Sequence, residues 1–223
     1  MLKQNKFNIA IIDYKMSNLF SVKHACDYVG LNSIITHDKD DIMSAEAVIL
    51  PGVGAFGDAM ENLTKLDLIS PIRDFAESGK PLMGICLGLQ LLFTESEEFG
   101  NFKGLNIING RVVRFSNNSA EGAKIKIPHV GWSQIFRSDN TSLWGNSPLR
   151  LIPEGEYMYF IHSYYIVPEN SAIKLTLTSY GGIEFCSSII SKNIFALQFH
   201  PEKSAMEGVR IFKDWINYYK GEE

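Results

Sequence analysis

The sequence predicts an α/β fold, with a mostly parallel sheet that has helices on both faces and a β-rich second half. Two observations support this prediction. Up to about residue 93, short apolar segments of strand length alternate with amphipathic helical patterns, and strands that alternate with helices form parallel sheets. From residue 105 to residue 199, the apolar segments are separated by glycine, asparagine, serine and proline, which is typical of strands joined by turns.

In the first half, strands are predicted over residues 7–13, 32–36, 47–50 and 81–85, and helices over 18–29, 66–78 and 89–93. Each strand is a short apolar run, as buried strands of parallel sheets usually are. In the first helix, Leu19, Val22 and Cys26 are three and four residues apart, which places them on one face. Gly30 and Gly79 end the first and second helices.

In the second half, strands are predicted over residues 104–115, 157–167, 173–178, 183–190 and 194–199. A final helix over residues 205–219 carries Met206, Val209 and Phe212 at helical spacing, and this stripe should face the core. No repeat, low-complexity segment or linker interrupts the chain. We therefore expect one domain over residues 1–223, with its site beyond the carboxyl ends of the parallel strands.

Composition excludes several functional classes. The 223 residues include 21 Lys+Arg and 25 Asp+Glu, which gives a net charge of −4, and the chain has no basic block of the kind that binds nucleic acid. It shows no leader segment and no apolar run long enough to span a bilayer, so a cytoplasmic protein is expected. Cys26, Cys86 and Cys186 are widely spaced, which predicts neither a disulfide framework nor a zinc site. We expect no metal and no cofactor.

Cys86 lies in a pattern typical of an exposed nucleophile. It sits between Gly84 and Gly88 where a predicted strand meets a predicted helix, and small residues allow a sharp, strained turn there. The start of the helix should favour the thiolate form of Cys86, and the N–H of Leu87 is placed to bind an oxyanion. The alternative is a buried, inert cysteine, and the short motif alone does not decide between the two.

His200 and Glu202 supply what a cysteine nucleophile needs. They are two residues apart at the end of an apolar strand, so their side chains should share one face. A thiolate requires a base, and the base requires a carboxylate that fixes its tautomer. Either residue alone could be an ordinary one, but together with Cys86 they form a complete catalytic triad.

A glycine-rich loop follows the strand over residues 47–50. Gly52, Val53 and Gly54 could present main-chain N–H groups to a developing oxyanion. A phosphate-binding loop is the competing interpretation, but the sequence lacks the GxxxxGK[ST] pattern.

These motifs together resemble those of class I glutamine amidotransferases, whose flavodoxin-like fold and Cys-His-Glu triad match the predictions above. Within that family the chain is similar to the glutaminase subunits of imidazole glycerol phosphate synthase. The resemblance rests on residues 51–57 (PGVGAFG), 84–92 (GICLGLQLL), 127–132 (IPHVGW), 159–164 (YFIHSY) and 198–204 (QFHPEKS). It covers nearly the whole chain.

The resemblance implies hydrolysis of L-glutamine to glutamate through a thioester on Cys86. His200 would protonate the departing ammonia and then activate water. Gln90 and the stretch His162, Ser163 and Tyr164 would hold the α-amino and carboxylate groups of glutamine. For His162 and Tyr164, ordinary strand packing is the alternative.

The resemblance also implies a partner, a (β/α)₈ cyclase that receives the ammonia, makes imidazole glycerol phosphate and AICAR in histidine biosynthesis, and forms a heterodimer with the glutaminase. Asn18, Trp132, Tyr159 and Lys203 would face it; core packing for the aromatic residues and plain surface exposure for the lysine are the alternatives. Family members usually carry glycines where this chain has Lys15 and Ser17, in a loop on the partner side.

Three other functions remain open at this stage. One is a different triad hydrolase on the same fold, such as a γ-glutamyl hydrolase, which Gln90 and residues 128–132 (PHVGW) disfavour. Paralogous glutaminases supply ammonia to an ATP-dependent sugar amidotransferase of surface-polysaccharide biosynthesis. A non-catalytic regulatory subunit on the same fold is a hypothesis of a different class, which the complete triad disfavours.

Overall fold

The computed structural model describes residues 8–16, 18–118, 122, 124–138 and 141–221. The strands are β1 (Asn8–Ile12), β2 (Asn32–Thr36), β3 (Ala47–Leu50), β4 (Leu82–Ile85), β5 (Phe93–Ser96), β6 (Phe102–Lys103), β7 (Ile108–Arg114), β8 (His129–Gln134), β9 (Phe136–Arg137), β10 (Tyr157–His162), β11 (Tyr164–Pro168), β12 (Lys174–Tyr180), β13 (Ile183–Ser191) and β14 (Ile194–Leu197). The α-helices are α1 (Leu19–Tyr28), α2 (Lys39–Ser44), α3 (Phe56–Lys65), α4 (Ile69–Glu77), α5 (Leu87–Leu91), α6 (Thr141–Gly145) and α7 (Ala205–Lys220). Single 3₁₀ turns span Ser171–Ile173 and Pro201–Lys203.

One sheet runs through both halves of the chain. Its main path is β2-β1-β3-β4-β14-β13-β11-β7-β5-β6, and β12 and β9 extend it from β13. The first five strands of the path are parallel to one another, whereas β13 is antiparallel to β14 and to β11. The prediction of a parallel α/β half joined to a β-rich half is confirmed.

Helices cover both faces of the parallel strands. Successive residues of β1 point to opposite faces, so Ala10 joins one apolar core and Ile11 the other. The first core is covered by α3 and α4, with Phe75 fully buried, and the second by α1 and α7, with Trp215 fully buried. Complete burial of such a side chain contributes roughly 1.5–3 kcal/mol or more. None of the described helices has the length and apolar character needed to cross a bilayer.

Helix boundaries differ from the sequence prediction in three places. The helix expected over 66–78 begins only at Ile69, because Asp67 has φ 54° and interrupts the helical backbone. The helix expected over 89–93 begins at Leu87 and ends at Leu91, and Phe93 already belongs to β5. The sequence prediction lacked α2, α3 and α6.

The strand predicted over residues 157–167 is two strands in different sheets. It breaks at Ser163 between β10 and β11. β10 pairs with β8 in a separate two-stranded sheet, whereas β11 joins the large sheet between β13 and β7. The break puts residues 162–164 at the boundary between the two sheets, beside the cavity described below.

Candidate active site

The turn after β4 holds Cys86 in an uncommon conformation. Its φ of 52° and ψ of −107° lie outside the regions that residues with a Cβ usually occupy, which is how a strand-to-helix turn exposes a nucleophile. The N–H of Cys86 donates to the carbonyl of Leu197 at 2.7 Å. This bond ties the turn to the end of the neighbouring strand β14.

Gly88 makes this turn sterically possible. A Cβ on Gly88 would overlap the carbonyl oxygen of Leu50 at the end of β3. The close approach of two segments beside Cys86 therefore requires a glycine at this position, as the motif predicted.

We expect Gly88→Ala to lower the free energy of unfolding by about 1–3 kcal/mol or more, because the clash is with main chain that cannot rotate away. Gly145→Ala is the matched control, since a Cβ there meets no atom within 4 Å. Chemical denaturation of both variants measures the difference. Equal stabilities would show that the turn tolerates a side chain.

His200 and Glu202 lie beside this turn, just beyond β14. Nδ1 of His200 lies 2.8 Å from Oε1 of Glu202, and their side chains are 2% and 3% exposed. Burial alone would lower the pKa of His200, but its electrostatic interaction and contact with the Cys86 side chain, together with the Glu202 carboxylate, raise this pKa to about 10. Nε2 of His200 has no hydrogen bond among the described residues. One ring nitrogen is thus held by a carboxylate, and the other remains for proton exchange.

Gln198 is a buried polar residue that the sequence reasoning missed. Its side chain is 0% exposed, and its Nε2 donates to the Cys86 sulfur at 3.6 Å. Its Oε1 accepts from Nε2 of Gln90 at 3.1 Å. The available signal was a glutamine between Leu197 and Phe199 in an apolar strand, which requires buried hydrogen-bond partners.

A cavity of about 500 Å³ opens beside Cys86. The predicted site residues that line it are Asn18, Val53, Gly54, Cys86, Leu87, Gln90, His162, Ser163, Tyr164 and Lys203. Gly52, Trp132, Tyr159, His200 and Glu202 are not part of its lining. A second cavity of about 530 Å³, bordered by Arg73 and Lys192, contains none of the predicted site residues.

Glu98 also lines the cavity and was not predicted. Its Oε2 accepts a hydrogen bond from the N–H of Phe56 at 2.7 Å. Burial raises the pKa of Glu98, with a further contribution from Asp58. The sequence signal was weak, because Glu98 ends a run of acidic residues that also suits an exposed loop.

Two of the main-chain donors predicted for an oxyanion, the N–H groups of Val53 and Leu87, are occupied in this structure. The N–H of Val53 donates to the carbonyl of Met16 at 2.8 Å, and that of Leu87 donates to the carbonyl of Gly52 at 3.3 Å. The Tyr14 hydroxyl donates to the carbonyl of Pro51 at 2.7 Å and fixes the start of the loop. Gly54 has φ 109°, a conformation that favours glycine. In this conformation the Val53 N–H is directed to the Met16 carbonyl and is not free to bind an oxyanion.

The ring of His162 is fully engaged in the fold. Its Nδ1 lies 2.8 Å from the carbonyl oxygen of Tyr164, and its Nε2 lies 3.2 Å from Nδ1 of His129. Burial lowers the pKa of His162 to about 3 and that of His129 to about 4. Because both rings are neutral, the His162 side chain borders the cavity as a packed residue, which fits the packing alternative for this position.

Three of the predicted partner residues, Trp132, Tyr159 and Lys203, form a contact series, and Lys203 also lines the cavity together with the fourth, Asn18. Trp132 on β8 is 50% exposed and pairs in register with Tyr159 on β10, with ring centroids 6.0 Å apart. The ammonium group of Lys203 lies 5.9 Å above the Tyr159 ring. Asn18, at the start of α1, is exposed. Lys15 has φ 68°, so the loop keeps a conformation suited to the glycine usual in the family; Ser17 lies outside the described residues.

A sequence profile of the family described as glutamine amidotransferase class-I matches residues 10–217. The chain belongs to this family. Among curated relatives of this amidotransferase, the imidazole glycerol phosphate synthase subunit HisH of Syntrophotalea carbinolica is 47% identical over 208 residues, which cover 93% of this chain and 98% of that protein. The subunit of the same name from Moorella thermoacetica is 48% identical over 207 residues, 93% of each chain. The resemblance inferred from the motifs is confirmed.

Solved structures agree on the fold. PurLQS from Thermotoga maritima superposes on this amidotransferase with a TM-score of 0.71 at 21% identity, covering 96% of this chain and 99% of that one. A structure described as a glutamine amidotransferase gives a TM-score of 0.70 at 15% identity, covering 95% and 98%. At these identities the likeness shows the fold alone, and it confirms the class I amidotransferase fold that the sequence predicted.

Proposed function

We propose that this chain is the glutaminase subunit of an imidazole glycerol phosphate synthase. It hydrolyses L-glutamine to glutamate and passes the ammonia to a cyclase subunit that makes imidazole glycerol phosphate and AICAR in histidine biosynthesis. The observation that carries the proposal is the meeting of Cys86, His200 and Glu202 at the carboxyl ends of the adjacent strands β4 and β14. Relatives named as this subunit, 39–48% identical over at least 93% of the chain, support the pathway.

In this reaction the Cys86 sulfur attacks the side-chain amide carbon of glutamine. The carbonyl π electrons move to oxygen in the tetrahedral intermediate. They then return to re-form the carbonyl of the thioester as the C–N bond breaks and His200 gives its Nε2 proton to the leaving nitrogen. A water molecule, deprotonated by His200, then attacks the thioester and releases glutamate and the Cys86 sulfur. Glu202 holds the other ring nitrogen throughout, which keeps the imidazole oriented and stabilises its charged form.

The lining of the cavity suits the polar end of glutamine. Glu98 supplies a carboxylate for the α-ammonium group, a charge-assisted contact. Ser163 and Tyr164, at the break between β10 and β11, bring main chain to the same cavity for the α-carboxylate. Gln90 lines the cavity from α5. With glutamine held at that end, its side-chain amide reaches towards Cys86.

The oxyanion donors require a rearrangement of the loop. The N–H groups of Val53 and Leu87 stabilise the tetrahedral intermediate only after they leave the carbonyls of Met16 and Gly52. The cavity that Val53 lines is also lined by Asn18 and Lys203, which we assign to the partner surface. We therefore expect docking of the cyclase to change the conformation of the loop that carries Val53.

Partner binding should govern the rate. We expect low glutamate release from the isolated chain and an increase of at least about 100-fold in the complex with the cyclase and its nucleotide ligand, since one oxyanion donor is worth roughly 10²–10³ in kcat. The assay mixes the chain with L-glutamine alone, with a barrel cyclase of histidine synthesis, and with an ATP-dependent sugar amidotransferase. Activation by the sugar enzyme alone would favour the paralogous function, and no glutamate under any condition would exclude both.

The proposed function also implies a cellular location and a set of binding partners. The three cysteines are free and buried, which fits the reducing cytoplasm. The complex is a heterodimer in which Asn18, Trp132, Tyr159 and Lys203 face the cyclase. We assign the chain no nucleic-acid or membrane partner, no cofactor and no metal.

A further inference from the structure

We propose that Gln198 is a positioning residue, which holds the Cys86 sulfur through its side-chain amide N–H. The inference rests on the glutaminase function proposed above, because it takes Cys86 as the nucleophile. It adds a residue outside the triad, the oxyanion donors and the glutamine-binding groups.

The contacts of Gln198 give it a fixed position. Its main-chain N–H donates to the carbonyl of Ser187 at 2.9 Å, which extends the pairing of β14 with β13 by one residue. Its side chain is completely buried, with Nε2 3.6 Å from the sulfur of Cys86. The preceding residue, Leu197, accepts the N–H of Cys86 at 2.7 Å. Residues 197 and 198 therefore hold both the main chain and the sulfur of the nucleophile.

Neighbouring groups determine which end of the Gln198 amide faces the sulfur. The carbonyl oxygen of Tyr164 can only accept hydrogen bonds, so the group of Gln90 that lies 2.9 Å away must be its Nε2. The second hydrogen on that nitrogen then points to Gln198, whose nearest atom must be an acceptor, its Oε1, at 3.1 Å. The NH₂ end of Gln198 is left for Cys86. One main-chain carbonyl thus fixes a donor, and not an acceptor, beside the sulfur.

A second branch anchors the same carbonyl. His162 donates through Nδ1 to the oxygen of Tyr164, and its Nε2 accepts from Nδ1 of His129. Nε2 of His129 accepts in turn from the hydroxyl of Ser133 at 2.9 Å. Because burial holds the pKa values of both histidines at about 3 and about 4, these directions persist at neutral pH. The Tyr164 carbonyl thus accepts hydrogen bonds from both Gln90 and His162. Rotation of the Gln90 amide by 180° would place its oxygen against this carbonyl oxygen, so the orientation of the amide is fixed.

An N–H donor on the sulfur has two consequences. It favours the thiolate over the thiol, since hydrogen bonds to charged groups are about twice as strong as neutral ones. It also fixes the rotamer of Cys86, whose sulfur borders the substrate cavity. Gln198 itself does not line the cavity. It therefore contacts the nucleophile but not the bound glutamine.

The test compares Gln198→Met, which removes the donor at similar volume, with Gln198→Glu, which keeps the acceptor for Gln90 and sets an oxygen against the sulfur. Gln134→Met is the matched control, because Gln134 donates to the Gly155 carbonyl on another part of the fold. Iodoacetamide modification of Cys86 is followed against pH in the isolated chain by mass spectrometry. Burial raises the pKa of Cys26 and of Cys186 to about 12, so these thiols react slowly.

We expect Gln198→Met to move the midpoint of the modification profile up by about one pH unit and Gln198→Glu to move it further, with no change in Gln134→Met. In the partner complex, kcat of Gln198→Met should fall about 10- to 100-fold while KM for glutamine stays within about threefold. In the unsubstituted chain, the Gln198 side-chain amide NMR signal should shift over the same pH range, and not in Cys86→Ala.

Several results would overturn the proposal. An unchanged modification profile with only a lower melting temperature would make Gln198 a packing residue, and a higher KM at constant kcat would make it a substrate contact. The NMR measurement decides the question if both variants fail to fold. If the wild-type complex releases no glutamate but the profile still shifts, the glutaminase function fails while the contact between Gln198 and the sulfur stands.

Discussion

Cys86→Ala should reduce glutamate release by the partner complex at least about 10³-fold, because loss of a covalent nucleophile removes the whole reaction path and leaves only binding and the oxyanion site. Alanine keeps a Cβ, so the main chain at φ 52° is no more strained than before. The cavity and its lining should therefore persist. Synthesis by the cyclase from added ammonia should stay within about twofold of wild type, since that reaction bypasses the glutaminase site.

Cys26→Ala is the matched control for this substitution. Cys26 is also a free, buried thiol, but it lies on the core face of α1. We expect its variant to lose some stability and no catalytic chemistry. Glutamate release that survives Cys86→Ala would mean that another group is the nucleophile. Failure of the ammonia-fed reaction in the same variant would show that Cys86 is required for assembly of the complex.

The ends of the parallel strands could be predicted from the sequence for a simple physical reason. Strands β3, β4 and β14 are continuous apolar runs, and parallel strands bring their carboxyl ends to one edge of the sheet. Residues 52–54, 86 and 200 each follow one of these runs. Their meeting in space thus follows from topology, without knowledge of any side-chain contact.

Other features depend on contacts far apart in the chain. Gln198 meets Gln90 and Cys86 across 108 and 112 residues, and no local pattern shows these partners. Only His162 and Ser163 separate the two apolar halves of residues 157–167, and no glycine or proline marks a turn there. The sequence pattern therefore does not show that the two halves join different sheets.

Two of the three missed helices, α2 and α3, differ in the sequence signals they offered. At the start of α3, Ala55 makes no side-chain capping bond, so the usual polar signal is absent there. The spacing of Phe56, Met60 and Leu63 was nevertheless visible. Asp38, the residue before α2, does cap two N–H groups, but the six residues of this helix are too few for a clear period.

The direction of a peptide plane is also invisible in the sequence. The motifs identify the N–H groups of Val53 and Leu87 as candidate oxyanion donors. They do not show that both N–H groups donate to nearby carbonyls. A peptide group rotates through main-chain torsions that adjacent residue types only restrict. A bound partner should therefore change the orientation of these peptide groups more than any other part of the site.

Glu202→Gln should lower kcat by about 10²–10⁴-fold, because an amide placed against Nδ1 no longer enforces the tautomer in which Nε2 exchanges protons with the sulfur. Glu202 is buried against His200 at 2.8 Å, and glutamine has nearly the same shape, so packing should be preserved. Glu207→Gln is the matched control: Glu207 is a partly exposed carboxylate on α7 that pairs with Arg210, and its loss should leave kcat unchanged.

The His200–Glu202 pair also makes the free energy of unfolding depend on pH. The folded-state pKa of His200, about 10, lies above the unfolded value of about 6.5. Its protonated form therefore stabilises the fold fully below about pH 6.5, and this contribution is lost as pH rises through 10. The melting temperature of the wild-type chain should fall from pH 7 to pH 10. Glu202→Gln should show a smaller fall, because the carboxylate supplies part of the upward shift, whereas Glu207→Gln should follow the wild type.

The kinetic and thermal measurements together separate a catalytic carboxylate from a structural one. If Glu202 orients His200, kcat of Glu202→Gln falls by orders of magnitude while its melting temperature at pH 7 changes by only a few degrees. If Glu202 mainly supports the fold, rate and melting temperature decline together, and the loss of rate is recovered at lower assay temperature. A kcat that matches Glu207→Gln would remove Glu202 from the mechanism and leave His200 to be oriented by the main-chain bond from its N–H to Tyr159.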